Sequence, residues 1–414
     1  MKKIKFQNCF LILLTFAFAC NNSEDKSKST NANPDSTMSA KSYAHDREFL
    51  KAHTKNIIEL ESSDSGAKIL LSADYQGRVM TSTATGDSGT SFGWINYKLI
   101  ESGEKKKQFN PVGGEERFWL GPEGGQYSIY FKKGDSFNIS HWQVPAIIDT
   151  DAYDIASSDK SQAVFSKKAT LVNYSGTSFD INIERKISLL DKKQLEEKLN
   201  LPIPSSVHFV GFETDNSITN TGNTDWKKEN GLLSIWLLGM MTPSDETKVM
   251  IPFAPQKNIH DYITDNYFGA ISPERLQIKD SVLYFKCDGK SRGKLGLSPA
   301  IAKSIAASYD FKNNVLSVIF FPVDKNGLYV NSKWELQKEP FKGDVVNSYN
   351  DGPLADGSQL GPFYEIESSS SAKELKKGEK QEYKQTTCHL QGDYEILKTI
   401  AKQLLDVDLD EVKK

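Results

Sequence analysis

Glu365 and Glu367 stand two residues apart in the stretch GPFYEIESSSSAKELKKGEKQEYKQTTCHLQG, residues 361–392. Side chains alternate along a strand, so both carboxylates are expected on one face. Beside Phe363 and Tyr364, such a pair could bind a hydroxyl-rich ligand or move a proton, or be two solvated charges at a sheet edge. Upstream, Arg117, Trp119 and Glu123 lie in a short segment bracketed by Gly113-Gly114 and Gly124-Gly125. Glycine pairs turn sharply or let backbones approach closely. Trp119 could be a platform for a sugar ring, or a core residue with Arg117 as its ion-paired neighbour. Arg292 and Lys294 lie among the three glycines of 288–303. They could hold an acidic or hydroxyl-rich ligand, or belong to a solvated loop; the phosphate-loop pattern GxxxxGK[ST] is absent. His141 beside Trp142 is of a residue type suited to acid/base work, although this pairing is more often structural. Asp149, Asp151 and Asp154 resemble part of a calcium loop but lack its glycine and distal glutamate, and read as a solvated loop. With no CxxC pair and no Cys/His cluster the sequence offers no zinc site, and it calls for no cofactor.

The elements that must position these residues are strands. At 38% hydrophobic and 25% charged, the 414 residues have ordinary globular composition. A net charge of −3 gives no basic footprint for nucleic acid. Alternating or apolar runs predict strands at Ile57–Leu60, Ala67–Ser72, Gln126–Phe131 and Tyr329–Gln337, two across 163–190 and two more across 206–221. LLSIWLLGMM (232–241) is too short to cross a membrane and reads as a strand buried on both faces. Helical spacing is confined to HDREFLKAH (45–53), Asp191–Asn200 and about 393–406. The expected fold is mainly β, one large antiparallel structure over 44–392 in two packed sheets, followed by a C-terminal helix and tail at 393–414.

Ahead of this body, MKKIK supplies positive charge, Phe10 to Ala19 a short apolar run, and Ala19-Cys20 a small residue before a cysteine. This is the pattern of a lipoprotein signal peptide over 1–19, with Cys20 as the lipid-bearing mature N-terminus. Residues 20–43 are rich in Asn, Ser, Asp and Lys and read as a flexible tether. The expected location is the cell envelope, with Ser23-Glu24-Asp25 pointing to the outer membrane, facing the periplasm or the surface. Cys287 and Cys388 are then the cysteines left to pair or remain free thiols.

The order of features resembles the galactose mutarotase-like, or aldose 1-epimerase-like, β-supersandwich superfamily. The residues that carry the resemblance are Gln76-Gly77-Arg78-Val79, GGEERFW at 113–119, Ile183-Glu184-Arg185-Lys186-Ile187, and Glu367 followed by Leu375-Lys376-Lys377-Gly378-Glu379. The resemblance implies a carbohydrate ligand in a cleft of the supersandwich. It implies Glu367 as the base, with Glu365 second, and Arg117 as a substrate-binding arginine. The family's histidine acid lies in an Asn-His-x-x-x-Asn stretch; here that place is Thr219-Asn220-Thr221-Gly222-Asn223, which keeps Asn220 as a substrate contact and has no histidine. His208 or His141 would have to supply the acid. The expectation is therefore a membrane-anchored, carbohydrate-binding lipoprotein, with an active sugar epimerase and a ligand-free surface scaffold as alternatives.

Overall fold

The computed structural model describes residues 42–63 and 65–413. The expected signal peptide, Cys20 and nearly all of the tether lie outside these residues. Tyr43, placed at the tether's end, instead opens a helix (Tyr43–His53) capped by Ser42 and is fully buried.

Nineteen strands among the described residues form three antiparallel sheets. Ten strands make the largest, in the order Leu276–Lys279, Val282–Lys286, Thr247–Pro252, Ile305–Asp310, Val315–Phe320, Lys380–Gln391, His208–Asn220, Ser178–Leu189, Gln162–Val172 and Asp154–Ser158. Six make the second: Ile263–Thr264, Gly293–Leu297, Val346–Asn350, Tyr364–Ser369, Ser234–Met241 and Arg117–Gly121. The first three strands, Ile57–Glu61, Lys68–Ser72 and Arg78–Thr83, form the third. This is the expected large antiparallel β-supersandwich with a C-terminal helix.

The six- and ten-stranded sheets share one apolar core that includes Phe118, Leu120, Ile235 and Leu237 from the smaller and Phe165, Ile181 and Phe212 from the larger. Polar links cross it: the Tyr364 and Ser308 hydroxyls lie 2.8 Å apart, and Ser368 donates to Gln385 at 2.6 Å. The outer face of the ten-stranded sheet is covered by the helices Lys192–Leu199 and Tyr394–Leu405 and by Leu409–Lys413, which build a second core on Leu316, Val318 and Leu390. The Lys192–Leu199 helix starts with an Asp191/Gln194 capping box and the Tyr394–Leu405 helix with Asp393, which satisfy otherwise unpaired N–H groups. None of the described helices is long and apolar enough to cross a membrane.

Several local expectations change. Residues 206–221 give one long strand, because 208–219 pair without interruption with 380–391. Gln126–Phe131 forms turns, and Tyr329–Gln337 makes only an isolated bridge at Tyr329. Gly293–Leu297, expected as loop, is a strand whose Leu295 and Leu297 enter the core. Asp149 is buried and holds Asn110 at 2.7 Å through its side chain instead of facing solvent.

Candidate functional site

A strand in a stacked sheet has one face in the core and one face free to line a cavity. In the six-stranded sheet the second face is unusually polar. Register places Lys294 opposite Tyr349, Tyr349 opposite Glu365, and Glu365 opposite Met240. The next row runs Gly296, Asn347, Glu367, Leu238, Arg117. Trp236 and Trp119 face each other one step further. The carboxylate pair thus lies on one face, as the alternation predicts.

The ion pairs on this face cross between rows. Arg117 Nη2 reaches Glu365 Oε1 at 2.8 Å, and Lys294 Nζ reaches Glu367 Oε2 at 2.9 Å. Each cation also sits over an indole, Arg117 at 4.2 Å from the Trp119 ring centre and Lys294 at 4.8 Å from that of Trp236. Trp236 Nε1 donates to the same Glu367 oxygen at 3.0 Å. Glu367 Oε1 and the Nε and Nη1 of Arg117 are buried without a hydrogen-bond partner. Buried polar atoms are usually paired, so this floor has unused hydrogen-bonding capacity.

Above the floor lies a cleft with two lobes of about 570 and 550 Å³ that share Glu123, Trp236, Lys294 and Trp334. This size suits a small ligand. Trp119 and Trp236 meet edge to face at 5.5 Å, and Trp142 and Trp334 stack at 5.8 Å. Gly296 makes room beside Asn347: a Cβ there would come within 2.1 Å of Asp344 Oδ2. Asp344 in turn accepts from the Tyr267 hydroxyl at 2.6 Å.

Electrostatics separates these groups. Burial pushes the Glu365 carboxyl up to about 7, against the opposing pull of Arg117. Burial likewise raises Glu123, with Lys294 opposing, and raises Asp344. Burial works against the charged form of Lys294, but Glu367 and Glu123 outweigh it and hold its pKa above the usual lysine value. The floor therefore carries fixed cations beside a carboxyl able to exchange a proton near neutral pH.

The structure brings Arg117, Trp119, Arg292, Lys294 and Glu365 to the cleft. Arg292 stands at the mouth, its guanidinium 3.9 Å from the Phe268 ring centre. Glu367 lies just beneath the floor, fully buried, and meets the cleft only through Trp236 and Lys294. Three candidates fall elsewhere. His141 is exposed and turns back onto Ser136 at 3.0 Å, so only its neighbour Trp142 lines the cleft. His208 is exposed at the start of a strand of the other sheet. Asn220 closes a turn, donating to Thr224 O at 2.9 Å and Leu375 O at 3.0 Å. The buried His389, not singled out from sequence, lies between the sheets, 2.7 Å from both Glu115 and Ser317. Among the described residues no histidine lines the two lobes. Sequence reasoning named neither Tyr267 nor Asp344, which tertiary packing brings to the lining of the cleft, with the Tyr267 ring centre 5.6 Å from Lys294 Nζ.

Among solved structures, the chain is similar to a galactose mutarotase-like protein from Lactobacillus casei ATCC 334, at 10% identity and TM-score 0.47, covering 81% of this chain and all of that one (100%). It is also similar to the Slr1438 protein from Synechocystis sp. PCC 6803, at 11% identity and TM-score 0.49, covering 81% and 96%. A galactose mutarotase related enzyme from Lactobacillus acidophilus matches at 10% identity and TM-score 0.42, covering 81% and 97%. These are likenesses of fold. No curated protein matches the chain. The model of one family, described as a family of unknown function (DUF6786), matches residues 41–414, and the chain belongs to that family.

Proposed function

We propose that this protein binds a carbohydrate in the cleft of its six-stranded sheet. One observation carries the reading: crossed, buried Arg117–Glu365 and Lys294–Glu367 pairs lie under walls of tryptophan. Sugars present hydroxyls that need paired donors and acceptors, and C–H faces that pack on aromatic rings. Titration calorimetry with a panel of hexoses, uronates and their methyl glycosides tests it. Binding by at least one sugar, weakened by Trp236→Ala, supports the reading; no heat and no thermal stabilisation with any sugar overturns it.

A second reading has its own support. Glu365 borders the cavity with a carboxyl near 7, which suits the base of an anomerisation. Glu365 would take the proton from the anomeric hydroxyl as the bond between the anomeric carbon and the ring oxygen breaks, the ring oxygen taking a proton from the Lys294 ammonium; rotation of the open-chain aldehyde and the reverse transfers close the other anomer and return both protons. Polarimetry of freshly dissolved sugars tests this: an accelerated rotation change that Glu365→Gln abolishes is the expected result, and a rate equal to the buffer's overturns it.

The envelope location is proposed on the charged start, apolar run and Ala19-Cys20 junction. Mass spectrometry of the mature N-terminus should find a lipid on Cys20, and Cys20→Ser should release the protein to the soluble fraction.

A further inference from the structure

The mouth of the cleft differs from its floor. Among the described residues seven large hydrophobic side chains are exposed, and four of them line this cleft: Ile139 at 61%, Phe268 at 47%, and Leu354 and Leu360 at 42% each. They come from three separate loops, so their meeting at one opening is a product of the fold. Aliphatic side chains gathered at a cavity mouth lose contact with water when an apolar group covers them.

The lobes are also unequal. Beyond the shared residues, one is lined by Asp344, Asn347, Lys333 and Glu335. The other is lined by Phe109, Leu238, Met240 and Phe363, with Leu360 at its edge. A free sugar matches the first lobe and the shared floor but leaves the second poorly filled.

We infer that the cleft takes an amphipathic glycoside, with the sugar over Lys294 and Glu123 and an apolar aglycone in the lobe of Phe109, Met240 and Leu360. The inference rests on the carbohydrate-binding reading and names the class of ligand. Trp236 and Lys294, which line both lobes, then lie where the two halves of the ligand join. The Phe268–Arg292 stack borders both lobes at the same opening.

The experiment compares methyl, hexyl and phenyl glycosides of glucose, galactose and mannose by calorimetry, on the wild type and on a Leu354→Ser/Leu360→Ser variant. Hexyl or phenyl glycosides are expected to bind about tenfold tighter than the methyl glycoside of the same sugar. The variant should lose that advantage, with its hexyl- and phenyl-glycoside affinities falling several-fold further than its methyl-glycoside affinity. Equal affinity for methyl and hexyl forms overturns the inference and leaves the carbohydrate reading intact. An advantage that survives in the variant also overturns it, as does binding of free sugars with rejection of every glycoside. If no compound binds, the carbohydrate reading itself fails, and the inference with it. Thermal unfolding of the variant, expected to stay close to wild type for surface changes, guards against misfolding as the cause.

Discussion

Glu116 and Glu365 make an instructive pair. Each is buried, each is pushed up to about 7 chiefly by loss of solvent, and each faces an arginine that pulls the other way. Glu116 lies between the sheets, joined to Arg185 at 3.0 Å and to Gln385 at 2.9 Å, with its side chain and that of Arg185 fully covered. Glu365 borders a cavity. A carboxyl near neutral is thus not by itself a mark of function in this fold; access makes the difference. The contrast is built into consecutive residues, since Glu116 turns into the sheet stack and Arg117 turns out to the cleft.

The largest test of this contrast is loss of the arginines. Arg185→Ala strands a sealed carboxylate and is expected to destabilise the protein by about 3–5 kcal/mol in urea unfolding. Arg117→Ala should cost less, about 1–2 kcal/mol, because Glu365 can bind a proton or meet water in the cleft. Equal costs would erase the distinction.

Next in size is ligand binding. Glu365→Gln is expected to weaken the best sugar ligand about tenfold, near 1.4 kcal/mol, while Glu116→Gln leaves affinity unchanged by calorimetry.

Acidity sharpens the comparison further. Both carboxyls titrate higher in the folded protein than their ordinary 4.5, so the folded state holds protons that the unfolded chain releases. Their contribution to stability is full below about 4.5 and is lost as pH rises through about 7. Each adds a downward slope of at most about 1.4 kcal/mol per pH unit across that window. Unfolding free energies measured between pH 5 and 8 should flatten in either glutamine variant. A saturating ligand should change only the share that Glu365 supplies.

The smallest effect belongs to the sealed side. Cys287 and Cys388 are both free and buried, and burial pushes the Cys388 thiol up to about 12. Neither should react with a thiol reagent until the protein unfolds, and reductant should leave the melting temperature unchanged.

Much of this architecture was legible in the chain. LLSIWLLGMM reads as a strand buried on both faces, and the Ser234–Met241 strand is buried at every position. Glu365 and Glu367 share a face because alternation is local. Lys294 was legible too, since Gly293, Leu295 and Leu297 alternate with it, but the glycines drew the segment toward a loop reading. The roles of the motif arginines were not legible. Arg78 closes on Gly113 O at 2.7 Å and Arg185 on Glu116, so only Arg117 of the three meets the cleft. Nor could any pattern in sequence say that His208 and Asn220, at the two ends of one strand, both miss the site. Which glutamate reaches the cavity depends on Trp236 and Lys294 covering Glu367, and those contacts join residues far apart in the chain.

The crossed pairs have a consequence for folding. They exist in one strand register only. A slip of the Tyr364–Ser369 strand by one residue would send both glutamates into the sheet stack and bring Ile366 into the cleft. Arg117 and Lys294 would then face no counter-charge from that strand. A molecule that fills the cleft recognises the correctly threaded sheet and no other, so its binding free energy is added to native pairing by mass action. The ligand would act as a proofreader of strand alignment, and a chain folded in its presence should hold fewer mispaired forms than one folded alone.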